Sequence, residues 1–350
     1  MLFKKPSFLL SVIPLLSIFA ASIAYGQAPT PLELKVAQLE RQVSRLTSVV
    51  KAQQRLLSTF SMVTVNGSPT LRVTGVNFQV VNGTGITASK NGTGNILIGY
   101  DEPNTIDTEQ HCSIGTNPVT GDAIFTQTAC TVAGGIYSSS HKDGSHYLIV
   151  GTQNNYSRWG GIVAGFNNTA TYDFASVTGG SFNQAYGQGT QITAGFDNTA
   201  VGPLSVINGG ARNISTGGSS SISGGIFNET VGGISSVIGG ENNGAVGNGS
   251  AVIGGFFNFA FGTQSVIVGG QSNTTDGQGA TIAGGVINRA DGTFAAVAGG
   301  QGNRAIGGAS AVGGGSGNDA LNLFSTVSGG RTRTASGEFD WVAGSIFQDE

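Results

Sequence analysis

The sequence predicts an all-β solenoid, a parallel β-roll of 15-residue coils, preceded by an N-terminal coiled-coil helix. Three columns predict the roll. Counted in steps of fifteen from Ile162, every residue to Val342 is a β-branched aliphatic (Ile162, Val177, Ile192, Ile207 and onward). Three residues further on, a glycine recurs from Gly165 to Gly330. An asparagine recurs from Asn168 to Asn318, until Arg333 breaks the column, and two residues after each asparagine sits Ala, Ser or Thr. A short fixed period without insertions is the mark of coils stacked one on another. Such a stack buries its own core and leaves long regular faces, which suits display and contact more than chemistry.

The elements follow in chain order. Lys4 and Lys5, the apolar run Phe8 to Ala21 and the small residues of Ala24-Tyr25-Gly26 read as a secretory signal peptide over 1–26, with Gln27 as the mature start. Residues 27–62 form the coiled-coil segment. Leu32, Val36, Leu39, Val43, Leu46, Val50, Gln53, Leu57 and Phe60 advance by fours and threes, a heptad seam with polar residues on the other faces. Such a seam demands self-association without fixing the number of chains. An amphipathic helix docked on a domain is the alternative.

Residues 63–158 form a β-rich irregular segment. Alternation over 71–74 and 76–80 predicts strands, and Asn82-Gly83 and Asn91-Gly92 are hairpin-type turn signals. Asn95–Gly99 and His146–Gly151 read as the first, irregular solenoid strands. Between them Cys112 and Cys130, the only cysteines, form an even pair that predicts one disulfide in an exported protein. It closes an inserted loop rich in turn formers (Gly115, Asn117, Pro118, Gly121).

The regular roll spans 159–347. In the coil beginning Ser235-Ser236-Val237, Val237 points inward from a short strand, Gly239-Gly240 makes one corner, Asn243 and Ala245 share a face of a second strand, and Gly247 makes the other corner. Opposite the Val column a thin coil admits only small residues. The Asn column predicts a ladder of side-chain amides, each bonded to its neighbour one coil away. A dozen coils at ~4.8 Å give a rod of roughly 60 Å.

Composition narrows the function. The chain has 350 residues, 59 of them glycine, with 10% charged residues and a net charge of −3. From Trp159 onward there is no lysine and there are only five arginines, against eleven carboxylates, so the basic footprint of a nucleic-acid binder is missing. No stretch after the leader approaches the ~20 apolar residues of a spanning helix.

Ser-Val-Ile-x-Gly-Gly-x-x-Asn-x-Ala-x-Gly, as in Ser236 to Gly247 without the residue between Ile and Gly-Gly, resembles the head repeat of the YadA-like trimeric autotransporter adhesins. The resemblance covers roughly 146–347. It implies a left-handed parallel β-roll, three rolls packed side by side around a threefold axis, and a surface or secreted setting. Three departures count: the period is fifteen where the family's common unit has fourteen, the coiled coil precedes the head, and no run of amphipathic membrane strands precedes Glu350. Autotransport and outer-membrane anchoring by this chain are therefore not implied.

Chemistry is thinly represented. His111, His141 and His146 lack metal-binding spacing, and no cofactor motif is present. Asp276 and Asp291, one coil apart, are the best enzymatic hint, since stacked carboxylates occur in polysaccharide-cleaving β-helices; a solvated face beside Arg289 and Arg304 is the plainer reading. Phe256, Phe257, Phe259 and Phe261 crowd one coil, and Phe166, Phe196, Phe227 and Phe347 recur near the corner after the Gly column. They are candidate contact or trimer-seam residues, because a thin roll cannot hold them all in its core. The expectation is a non-enzymatic, adhesin-like protein, a homotrimer contacting an extracellular polymer, matrix or surface ligand. The alternatives are a carbohydrate-active β-helix, which needs clustered carboxylates in a groove, and an ice- or mineral-binding solenoid, which needs Thr-x-Thr ranks.

Overall fold

A computed structural model describes residues 30–103, 111–112, 126–132, 137–138 and 140–344, in two units divided after Gln79. The signal-peptide segment, the turn formers of the Cys112–Cys130 loop and Phe347 lie outside the described residues.

The first unit holds helix α1 (Pro31–Leu57) and a hairpin of β1 (Phe60–Val65) and β2 (Ser68–Val73). The helix start is a reciprocal cap. The Glu33 amide donates to Thr30 Oγ1 at 3.3 Å, and the Glu33 carboxylate accepts from the Thr30 amide at 2.7 Å. Pro31 takes the first helical position, where its missing N–H costs nothing. The heptad residues Leu32, Leu39, Val43, Leu46, Val50 and Leu57 are all exposed. Phe60 is not part of the seam. The helix ends at Leu57, and Phe60 opens β1, paired with Val73. The reason is the hairpin turn at Asn66-Gly67, where both residues are left-handed (φ 50° and 82°), the geometry a two-residue turn between twisted strands demands.

The second unit is the solenoid. Residues 76–80, where alternation predicts a strand, carry none. Asn82 and Asn91 cap side-chain turns instead of hairpins: the Thr84 and Thr93 amides donate to Asn82 and Asn91 Oδ1, each at 3.1 Å. β3 (Ile96–Ile98) is the first solenoid strand. After the insertion holding β4 (His111–Cys112), α2 (Gln127–Val132) and β5 (Tyr137–Ser138), β6 (Ser145–Thr152) pairs with it in parallel, followed by β7 (Asn155–Tyr156) and β8 (Trp159–Phe166). The Cys112–Cys130 disulfide closes the insertion, with both cysteines buried. From there two-residue strands alternate between a 15-stranded long sheet and a 13-stranded short sheet, parallel throughout.

The register corrects one column. Ile149, Val163 and Val177 stack as partners, so the first coils have fourteen residues and the fifteen-residue period starts afterwards. Val163 is therefore the core residue, and Ile162 points outward, 37% exposed. From Val177 to Val327 the aliphatic column is buried, facing the buried Ala/Ser/Thr column from Ala170 to Ala335. A third inward column, two residues before each aliphatic (Thr190, Ser205, Ser220, Ser235 and onward), is buried too. The hydroxyls of Thr190, Ser220, Ser235 and Ser325 turn back onto the corner, as Ser220 Oγ does on Gly217 O at 2.6 Å and Ser235 Oγ on Gly232 O at 2.6 Å. Side chains of this size meet across a coil that a second aliphatic column would force open.

The Asn ladder forms: the Nδ2 of Asn183, Asn198, Asn213, Asn258 and Asn273 donates to the Oδ1 of the asparagine one coil before, as Asn198 does to Asn183 at 3.0 Å, and backbone bonds join it. Each Asn Oδ1 accepts first from the backbone N–H of the next Asn, as Asn183 Oδ1 does from Asn198 at 3.1 Å. The amide Nδ2 reaches forward to the next coil's glycine carbonyl, Asn198 to Gly210 at 3.0 Å. Arg333 ends the series, its backbone N–H taking the Oδ1 of Asn318 at 2.9 Å.

At the Gly254-Gly255 corner only the second glycine is forced. Gly255 has φ 91°, and a Cβ there would lie 2.2 Å from Gly270 O, whereas a Cβ at Gly254 would meet nothing within 4 Å. We therefore expect Gly255→Ala to lower stability by about 2 kcal/mol or more, from left-handed strain and a backbone clash, and Gly254→Ala to stay within about 0.5 kcal/mol of the parent. Thermal melts of the two variants check this; equal melting temperatures would contradict the corner geometry.

Candidate functional site

The roll offers four kinds of surface, each set by its place in the repeat. The corner after the long sheet carries aromatics. Phe166, Phe182 and Phe196 meet edge to face at 5.6 Å between successive rings, and the Arg212 guanidinium lies 5.3 Å from the Phe227 ring centre. Phe256 and Phe257 continue the row in edge contact at 4.3 Å. Phe259 and Phe261 stack on each other at 5.9 Å, but on the outer face of the short sheet, flanking the inward Ala260. The four phenylalanines of this coil thus form two pairs on two surfaces, and Phe256, Phe257 and Phe261 are partly open to solvent. Phe182 was legible only by following the column next to Phe196.

The other corner holds a second apolar row that the fifteen-residue columns hide. Phe174, Leu204, Ile234, Phe294 and Phe324 are all left-handed and exposed, and they fall on every second coil except where Gln264 takes the place. Between them stand Gly189, Ser219, Gly249, Gly279 and Ala309. Each large side chain lies back over the coil before it: a Cβ at Gly279 would be 2.6 Å from the Phe294 ring, and one at Gly189 would be 2.9 Å from Leu204. A thirty-residue period is the sequence signal for this row. It ends with Phe324 and Phe339, which fit on adjacent coils by stacking at 5.1 Å.

The two sheet faces differ in charge. On the outer face of the short sheet lie Glu229, Asp276, Arg289, Asp291, Arg304 and Asp319. Arg289 is clamped between Asp276 at 3.0 Å and Asp291 at 3.1 Å. Partial burial raises the Asp291 carboxyl above its ordinary range, and the Arg289 cation opposes the shift. The stacked carboxylates are thus engaged with one guanidinium rather than set around an open groove. The outer face of the long sheet, by contrast, has no charged side chain between residues 162 and 343.

The N-terminal end of the core is closed by Tyr147 and Tyr156, whose rings lie 5.6 Å apart. The Tyr147 hydroxyl donates to Ser157 O at 2.8 Å, and Tyr156 donates to Asp101 Oδ2 at 3.0 Å. Lys142 pairs with Asp101, and Lys90 pairs with Asp143 at 2.5 Å. His141 is buried here, its backbone N–H held by Asn155 Oδ1 at 2.9 Å. His146 stands at the start of β6 in a left-handed conformation. Among the described residues no three His, Cys, Asp or Glu side chains converge to hold a metal ion. The arrangement caps a stack, as terminal coils of solenoids must.

This cap gives a pH signature. Burial, then the nearby carboxylates Asp173 and Asp143, push the Tyr147 hydroxyl far above the ordinary tyrosine range; burial and Asp101 do the same for Tyr156. Both are raised in the folded state, so their contribution is full below the unfolded value of about 10 and is lost as pH rises past it. Tyrosinate absorbance during alkaline titration should rise short of its full amplitude above pH 10, with Tyr147 and Tyr156 unionised until the fold opens. Ordinary titration of every tyrosine near pH 10 would mean that the cap is open.

No protein-family model and no curated protein matches this chain.

Proposed function

We propose that the chain is an exported, adhesin-like structural and binding protein, a homotrimer that displays its β-roll at the cell surface or outside the cell. One observation carries the reading. A 27-residue helix presents Leu32, Leu39, Val43, Leu46, Val50 and Leu57 of its Val/Leu seam to solvent, and the solenoid carries more exposed apolar corner residues than its own core can take. A lone helix with such a seam is marginal in water, and association is the ordinary remedy. The disulfide fits an oxidising compartment, and among the described residues no helix is long and apolar enough to cross a membrane. The resemblance to the YadA-like heads supports the trimer, with the aromatic corner including Phe256 and Phe257 as its seam.

The ligand class follows from the surfaces. The Asn column is buried, so the outer polar side chains of the long sheet, Thr178, Thr193, Asn208 and Ser223, carry the reading: with no charge beside them they suit hydrogen bonding to an extended surface or matrix polymer better than a deep small-molecule pocket. Three weak sites that engage one polymer gain avidity together. Light scattering on the mature chain at micromolar concentration should give a trimer; a monomer would sink the proposal, and a dimer would make the Val/Leu seam the better guide. Removing 27–62 should leave a folded roll that adheres more weakly to polymer-coated surfaces, and equal adhesion would refute the avidity argument. In the non-enzymatic reading Asp276→Ala and Asp291→Ala change local charge alone. Polysaccharide turnover that these variants abolish would favour the carbohydrate-active alternative.

A further inference from the structure

The uncharged face of the long sheet has an internal order. Its most exposed column runs from Thr178 to Ala343, and in its middle Ile238, Ile253, Val268, Ala283, Ala298 and Gly313 are three bulky residues followed by three small ones on consecutive coils. Ile238 is 51% exposed, Ile253 42% and Val268 44%, so the bulky half stands open to solvent. Every other outer surface of the regular array carries charge, on the short sheet or on the corners through Asp173, Asp197, Arg212, Glu241 and Arg331. Contiguous exposed apolar surface without charge marks a contact face.

The order of sizes names the partner. Reversing these six positions about the midpoint between Val268 and Ala283 exchanges large for small at each of them: Ile238 falls on Gly313, Ile253 on Ala298 and Val268 on Ala283, and beyond them Ser223 falls on Ser328. We infer that this face pairs with the same face of a second copy of the chain, antiparallel, about a two-fold axis that lies in the interface, parallel to the strands, between those two coils. Such an isologous contact is self-complementary by construction. A parallel pair would set bulky coils against bulky coils and Ala or Gly against Ala or Gly, leaving a wedge-shaped void that close packing disfavours. About this axis the coils from Asn208 to Ala343 overlap in the two copies, and at ~4.8 Å per coil and a strand width of about 10 Å they bury on the order of 500 Å² per partner. That is below the ~800 Å² of a standard stable interface, so the pair forms reversibly and depends on concentration. The inference does not rest on the trimer, which uses the helix seam and the aromatic corner, and whose threefold axis cannot bring this face onto its own copy head to tail.

The test uses the full mature chain with single cysteines at exposed positions, since both native cysteines are tied in the disulfide. Ile253→Cys and Ala298→Cys are prepared separately, one with a mass tag, mixed, and treated with a short bismaleimide. The mixed product should exceed either self-linked product, while Phe261→Cys on the short sheet gives no cross-link. Ile253→Cys linking to itself as readily as to Ala298→Cys would overturn the antiparallel pair. So would a failure to link at all at the highest soluble concentration. A trimer by light scattering without the mixed product would sink this pairing alone; a mixed product from a chain that is otherwise monomeric would sink the trimer alone.

Discussion

The fold depends on the interlock between the asparagine side chain and the glycine corner. A coil of two short strands makes few hydrogen bonds within itself, and its turns would leave backbone groups unsatisfied in a buried place. Asn213 shows how one residue answers this. Its backbone N–H and Nδ2 both donate to Asn198 Oδ1 at 3.0 Å, and Nδ2 also donates to Gly209 O at 3.1 Å in its own coil and to Gly225 O at 3.0 Å in the next. One side chain ties three successive coils. The same carbonyls are approached so closely that no side chain fits at the second corner glycine, and so the Asn and Gly columns are two halves of one requirement.

The core is thin because that corner is tight. A single aliphatic per coil meets an Ala, Ser or Thr, and a buried Ser, Thr or Ala column fills the remaining side. Bulk that the core refuses is carried outward, which is why the aromatic and aliphatic residues gather at corners in left-handed conformations where their side chains lie along the stack. Charge is likewise sorted, with ion pairs between coils on one sheet and none on the other. The division of surfaces that the functional proposals use is therefore a by-product of how little the interior can hold.

Much of this was legible from the columns. Val177 to Val327, the Asn series and the small residues opposite them occupy the predicted places, and the disulfide joins the predicted pair. The exceptions have physical causes. The fifteen-residue period places Ile162 in the core because periodicity alone cannot see two coils of fourteen residues, and the register puts Val163 there instead. Phe60 continued the heptad spacing, but the Asn66-Gly67 turn pulled it into a strand. The Phe174 row escaped because left-handed backbone lays each side chain over the coil before it, doubling the period. Which phenylalanines share a surface was not readable at all, since Phe257 and Phe259 are near in sequence yet separated by a change of direction from corner to strand.

Every hydrogen bond that joins one regular coil to the next runs along the stack, and each strand pair there is only two residues long. Tension applied through the two ends of the array is therefore borne in series, one coil boundary at a time. A coil that parts frees fifteen residues, up to about 50 Å of contour length, while its neighbours keep their bonds. Extension under load then proceeds in equal steps, and the array dissipates work as it lengthens instead of failing at a single rupture. On relaxation each freed coil has the intact end of the stack as its template, so recovery proceeds by addition to an existing surface and not by a new nucleation.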